Sequence, residues 1–251
     1  MTFKQFSIIL LSTLVSIGPI VVVADENNVE AGVEAVEKQD YMAAFQIFKS
    51  LADQGNAEAQ HNLAILYRQG KGVMQDEKLA AEWFRKAADQ GLPSAQFYLG
   101  HMYDTGEGIE KNPELAFSWY QKAAQQGNPM AQTNLGVAYI SGEGVKQDII
   151  LAYVWFSLAA SQGLTTALEN RNELRKEMSE ELVENAQRLT REYFSKYVAP
   201  FQPQASQNLR RNHPRFPEPH QQNHPSAPLS SSPQAPASNH PPLGHGKDGI
   251  H

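Results

Sequence analysis

The sequence predicts an all-α protein, a right-handed αα-superhelical solenoid built from helix-turn-helix repeats with a period of 36 residues. Residue types recur at that spacing through the middle of the chain, as is typical of repeat proteins whose units stack on one another. Each unit contains two stretches of helical periodicity separated by a glycine-rich turn. The recurring sets are Ala59, Ala95 and Ala131; Leu63, Leu99 and Leu135; Tyr67, Tyr103 and Tyr139; and Trp83, Trp119 and Trp155.

The first helix of each unit is marked by an alanine, a leucine and a tyrosine spaced four positions apart. In the first full unit these residues are Ala59, Leu63 and Tyr67, and that spacing places them on one face of a helix. Asn56 precedes this helix, where a side-chain oxygen can accept a hydrogen bond from a free backbone N–H. The glycine turns that end the first helices are residues 70–72, 106–108 and 142–144.

The second helix of each unit carries a buried stripe of alanine, tryptophan and alanine. In the first full unit the stripe is Ala80, Trp83 and Ala87, and the helix ends near Gly91. The tryptophans are therefore predicted to pack in the core rather than to form a platform that stacks on carbohydrate. The residues predicted to cap the second helices are Asp76, Asn112 and Asp148.

One helix pair cannot bury its apolar face alone, so the units are predicted to stack into a single domain, residues 25–199. The apolar pattern that starts at Tyr41 indicates a partial repeat ahead of the full units. After them Ala167 keeps the register, whereas Arg171 stands where a leucine is expected, and Ser179 then caps a final helix. The predicted divisions are a partial repeat 29–55, full repeats 56–91, 92–127 and 128–163, and a degenerate capping repeat with the final helix 164–198.

Both ends of the chain differ in composition from the repeats. Lys4 precedes an apolar run over residues 6–23, which predicts a signal peptide over residues 1–24 with cleavage after Ala24. The alternative is a membrane anchor that is kept. With cleavage, the protein is exported, periplasmic or secreted, with no membrane span. Residues 200–251 are rich in proline, histidine, glutamine and asparagine and are predicted to be disordered, with metal binding by the histidines as an alternative role.

Composition excludes several classes of function. The chain has a formal net charge of -6 and no cysteine, so it offers neither a thiol nucleophile nor a cysteine-ligated zinc site. Its acidic body lacks the clustered Lys and Arg that nucleic-acid binding requires. Motifs of serine hydrolases, zinc proteases and phosphate-binding loops are missing from the sequence. We therefore predict a protein that is not an enzyme, with no cofactor and no metal site.

The repeat motif resembles a known family. The pattern Gly-x-x-x-Ala-x-x-x-Leu-Gly-x-x-Tyr, then Gly-x-Gly-Val, then Ala-x-x-Trp-x-x-x-Ala-Ala-x-x-Gly is clearest over 127–163 and is similar to the Sel-one-like repeat, a relative of the tetratricopeptide repeat. The resemblance implies a tetratricopeptide-like adaptor of the bacterial cell envelope that binds a protein or peptide. It also leaves open a β-lactam or cell-wall amide hydrolase, since some cysteine-rich members have been connected with that activity.

The predicted partner site is the concave face that first helices line in tetratricopeptide-like solenoids. The residues predicted to face this groove lie outside the core stripes. The protein is also predicted to be a monomer. In related repeats an asparagine on this face holds the backbone of an extended peptide; here the alternative is that the asparagines brace neighbouring turns. The predicted groove residues are His61, Asn62, Ile65, Arg68, Phe97, Tyr98, His101, Asp104, Thr133, Asn134, Val137 and Ile140.

Overall fold

A computed structural model describes residues 28–201, so the predicted signal peptide and residues 202–251 of the predicted tail lie outside the described residues. Within 28–201 the chain forms ten α-helices and one short 3-10 helix, without strands. The helices are α1 (Val29–Glu37), α2 (Tyr41–Asp53), α3 (Ala57–Gln69), α4 (Glu77–Asp89), α5 (Pro93–Thr105), α6 (Pro113–Gln125), α7 (Pro129–Ser141), α8 (Ile149–Ser161), α9 (Thr165–Glu177) and α10 (Glu180–Tyr197), followed by the 3-10 helix Ala199–Phe201. The predicted all-α fold of 36-residue helix pairs is confirmed.

Helix ends follow the capping residues read from the sequence. The Oδ1 atom of Asn56 accepts a hydrogen bond from the Ala59 amide at 2.9 Å, and Asp76 caps α4 in the same way. Gly70 ends α3 in the left-handed region with a φ of 64°, which favours glycine because a Cβ atom would be strained there. A short polar side chain therefore begins α3 and α4, and a left-handed glycine ends α3.

Consecutive helices pack against one another along the chain from α1 to α9. Within the second and third units, a glycine of the first helix lies under an aromatic ring of the second helix. At Gly100 an added Cβ atom would lie 2.8 Å from Cδ1 of Tyr120, and at Gly136 it would overlap the ring of Phe156. Because both rings are buried, the absence of a side chain lets the two helices of a pair approach closely.

Buried glutamines join one repeat to the next. Gln96 in α5 is 4% exposed, and its Nε2 donates to the carbonyl oxygen of Ala88, at the end of α4, at 3.2 Å. Its Oε1 accepts from Nε2 of Gln126, which follows α6, at 2.8 Å. Gln60 and Gln132 make the same pair of contacts one period away. These hydrogen bonds give both polar ends of each buried glutamine side chain a partner at the junction between two repeats.

The final helix leaves this regular ladder. Helix α10 packs mainly against α8 and reaches α6, so it lies over second helices instead of pairing with α9. Every residue of α8 from Ala152 to Ala159 is buried, which a helix can achieve only when neighbours cover it on all sides. On α10 the buried face includes Val183 and Ala186, whereas the neighbouring Leu182 is exposed. Leu182 faces solvent because α10 turns its adjacent stripe toward α8.

Candidate partner-binding site on the first-helix face

The odd-numbered helices α1, α3, α5, α7 and α9 form one side of the stack, which we call the first-helix face. Between neighbouring first helices, the second helix of the earlier pair supplies aromatic residues. Two such spaces contain five of the twelve predicted groove residues. The α3–α5 gap contains Arg68, Phe84, Tyr98 and Glu107, and the α5–α7 recess is lined by residues that include Asp104, Phe117, Tyr120, Asn134, Val137 and Glu143.

The α3–α5 gap is filled by the chain's own side chains. The Arg68 guanidinium donates from Nε and Nη2 to the two carboxylate oxygens of Glu107, at 2.7 and 2.9 Å. It also lies 5.7 Å from the ring centre of Tyr98. Burial acts to lower the pKa of Arg68, but the hydrogen bond and charge of Glu107 outweigh it, so the pKa is raised overall. Arg68 therefore stays charged and occupies this gap.

Aromatic rings run from this gap toward the next one. Phe84 stacks on Tyr98 with ring centres 5.0 Å apart, and His61 contacts both rings at 5.4 and 5.5 Å. Phe97 then contacts Tyr98 at 5.3 Å and Tyr120 at 5.9 Å. Three of these five residues, His61, Phe97 and Tyr98, belong to the predicted groove. The rings make this part of the first-helix face rigid, because aromatic side chains have few rotatable bonds.

The α5–α7 recess, in contrast, is open. It has a volume of about 370 Å³ counted with its mouth. Its floor is Tyr120, which is 3% exposed and whose hydroxyl donates to Oδ2 of Asp104 at 3.4 Å. Val137 on its wall is 47% exposed, although it is apolar. The recess therefore combines an apolar wall with a few polar groups, which is typical of binding sites.

The Tyr120 hydroxyl gives the recess a pH dependence that can be measured. Burial raises the pKa of Tyr120 well above its usual value near 10, and the Asp104 charge raises it further, while a hydrogen bond with Asn134 acts in the opposite direction. The unfolded chain loses this proton near pH 10. The stabilisation that depends on the neutral phenol is thus complete below about pH 10 and is lost as the pH rises through the folded pKa.

We expect Tyr120→Phe to resist alkaline unfolding better than the natural chain. Phe84 and Phe156 occupy the equivalent positions of the neighbouring repeats, so a phenylalanine ring fits there. Urea midpoints measured from pH 8 to 11 should differ little between the two proteins near neutrality and should favour the variant progressively above about pH 10. Tyr139 and Tyr193, whose pKa values are also raised, are common to both proteins. If the urea midpoints of the two proteins changed with pH in parallel up to pH 11, a raised pKa of Tyr120 would be contradicted.

Two of the predicted groove residues are buried. Ile65 is 6% exposed and belongs to the hydrophobic core, contrary to the expectation that it lies outside the core stripes. Asn62 is 7% exposed, so it offers little surface to an extended peptide. Both lie on α3, between α2 and α4. Helical periodicity gives the direction of a side chain from its own helix, but it does not show how closely the neighbouring helices approach.

The other predicted groove residues are at least partly accessible. Asp104, Asn134 and Val137 come together in the recess. The His101 ring stacks beside Phe97 with centres 6.5 Å apart. Thr133 is half-buried and its hydroxyl donates to the carbonyl oxygen of Pro129 at 3.0 Å. Ile140 is half-buried against the core.

Sequence reasoning missed the acidic residues in the glycine turns. Glu107 and Glu143 stand between two glycines at equivalent positions of successive repeats, and both reach the first-helix face. Their 36-residue spacing could have identified them as a repeated surface feature. They were missed because the turn glycines were interpreted only as connections, and because the first full unit carries Lys71 at the equivalent position.

The structure also bears on metal and membrane association for residues 28–201. In that range, histidines and acidic residues do not come together in groups of three or more that could hold a metal ion. Within the same residues, no helix has the length and apolar character needed to cross a bilayer. Metal binding by the tail histidines lies outside the described residues.

Comparison with known proteins establishes the family. The pattern of the Sel1 repeat matches residues 30–56, 57–92, 93–128 and 129–164, which together make up more than half of the chain. This chain belongs to the Sel1 repeat family. Sel1 repeat proteins generally act as protein-interaction scaffolds.

Two solved structures are similar to this Sel1 repeat protein. A Sel1 repeat protein from Oxalobacter formigenes is 34% identical, with a TM-score of 0.56 over 58% of this chain and 58% of that one. A protective antigen of uropathogenic Escherichia coli strains, which displays an SLR fold, is 28% identical with a TM-score of 0.51 over 76% of this chain and 50% of that one. This chain thus spans 58% of the length of the first structure and 50% of the length of the second. No curated protein gave a match.

Proposed function

We propose that this Sel1 repeat protein is an adaptor of the bacterial cell envelope that binds an extended segment of a protein partner on its first-helix face. The observation that carries the proposal is the open α5–α7 recess beside a rigid aromatic surface. A groove that is already formed loses little conformational entropy on binding, which favours useful affinity from a small contact area. The partner would contact Val137 and the polar groups of Asp104 and Asn134.

A photo-crosslinking amino acid placed at Val137 in the full chain tests the binding face. The matched control carries the same amino acid at Glu82, an exposed position on the second helix α4. Both proteins are produced in the native cell and irradiated, and adducts are identified by mass spectrometry. We expect a defined adduct from position 137 and none of that mass from position 82. Equal adducts from both positions, or adducts from 82 alone, would exclude the first-helix face.

The envelope location is supported by the sequence, through Lys4, the apolar run over residues 6–23 and the small residue Ala24. N-terminal sequencing of the protein recovered from the periplasmic fraction should begin at Asp25. A protein that retains residues 1–24 in the membrane fraction would instead be anchored.

A further inference from the structure

The two spaces on the first-helix face differ at one pair of equivalent positions. In the α3–α5 gap the pair is Arg68 and Glu107, which form a two-fold hydrogen-bonded ion pair. One period later the same two places hold Asp104 and Glu143. The arginine has been replaced by an aspartate while the glutamate is kept. The α5–α7 recess therefore has the acceptor of the ion pair without its donor.

This replacement explains why the first space is filled and the second is open. Arg68 and Glu107 are only 22% and 20% exposed, because the long arginine side chain covers the gap. Asp104 is shorter than arginine and repels Glu143, so it cannot close the recess in the same way. The residues that line the recess include both carboxylates and neither a lysine nor an arginine.

The remaining recess groups suit a guanidinium. In the first gap the guanidinium of Arg68 lies beside an aromatic ring and is held by a carboxylate. The recess offers a carboxylate from Glu143 and rings from Phe117 and Tyr120. These rings come from α6, because the position equivalent to Tyr98 is Asn134. A planar guanidinium can stack on a ring and bind a carboxylate through two parallel hydrogen bonds, whereas an ammonium group binds only as a point charge.

We propose that the α5–α7 recess binds an arginine side chain of the partner protein, with the guanidinium between Asp104 and Glu143 in the place that Arg68 takes one repeat earlier. This inference rests on the proposed function and identifies the partner side chain that the first-helix face accepts. Val137, on the wall of the recess, contacts the aliphatic part of the arginine or an apolar neighbour.

Selection of binding peptides tests the inference. A random twelve-residue peptide library displayed on phage is selected on the immobilised full chain, and one enriched peptide is labelled for fluorescence polarisation. We expect arginine to be enriched at one position, and replacement of that arginine by glutamine to weaken binding about tenfold or more. Lysine at that position should restore only part of the affinity.

Protein variants locate the peptide. Glu143→Gln should weaken binding of the arginine peptide about tenfold, while Glu110→Gln, at an exposed position outside the recess, should leave it unchanged. Asp104→Arg should abolish binding without lowering the thermal midpoint, because the new guanidinium can pair with Glu143 as Arg68 pairs with Glu107. Loss of binding with retained stability separates a filled recess from a misfolded protein.

Other outcomes would overturn the inference in different ways. If the enriched peptides lack arginine but still fail to bind the Val137→Glu variant, the first-helix face binds the partner but the recess does not bind a guanidinium. The absence of any enriched peptide would count against the proposed function itself. Binding seen only after Arg210→Ser, Arg211→Ser and Arg215→Ser in the full chain would assign the recess to the chain's own C-terminal segment rather than to a partner.

Discussion

Gly108→Ala is expected to lower the free energy of unfolding by about 3 kcal/mol or more. The backbone at Gly108 has a φ of 70°, a region where a non-glycine residue costs about 1–3 kcal/mol. In addition, the new Cβ atom would overlap the carbonyl oxygen of Glu77, at the start of α4 in the preceding repeat. Because that oxygen belongs to the backbone of a helix, the helix itself must shift, and overpacking adds about 1–3 kcal/mol.

Gly91→Ala is the matched control for this prediction. Gly91 has a φ of 91°, but no atom lies within 4 Å of the position that a Cβ atom would take. We expect a loss of about 1–2 kcal/mol from backbone strain alone. The thermal midpoint of Gly108→Ala should fall by roughly 6–12 °C, and that of Gly91→Ala by about half as much. Equal losses would show that contact between the turn and α4 contributes nothing to the stacking of repeats.

Trp155→Ala is expected to cost about 3–5 kcal/mol, the range for truncating a buried tryptophan. Trp155 on α8 is 3% exposed, and its ring lies 5.5 Å from that of Tyr193 and 5.7 Å from that of Tyr197. Both tyrosines belong to α10, so the variant loses its core packing and also the contact that holds the last helix. Amide hydrogen exchange should become faster in α10 than in α3 or α5.

Trp119→Ala provides the comparison at the equivalent position of the preceding repeat. Trp119 is half-buried, and the ammonium of Lys122 lies 3.7 Å from its ring centre. We expect a smaller loss, about 1–2 kcal/mol, and no preferential exchange in α10. Guanidinium denaturation monitored by circular dichroism measures both losses. If the two substitutions cost the same, α10 does not contribute to the burial of Trp155.

The repeat, the helix boundaries and the family could be predicted from the sequence alone. The caps at Asn56 and Asp76 and the turn glycine Gly70 act within a few residues of their own position, so their effect does not depend on the remainder of the fold. The 36-residue period then requires successive helix pairs to stack in the same way. Of the second-helix tryptophans predicted to pack in the core, Trp83 and Trp155 are buried, whereas Trp119 is half-buried against it.

The tertiary structure decided which side chains stay accessible. It buried Ile65 and Asn62, left Val137 exposed, and placed α10 over α8. It also closed one space with Arg68 and Glu107 and left the next one open at Asp104 and Glu143. The sequence by itself determined the helices and their repeat because those depend on neighbouring residues. Accessibility and pairing depend on side chains from different helices, 16 residues apart for Asp104 and Tyr120 and 39 for Arg68 and Glu107, so only the packed helices could determine them.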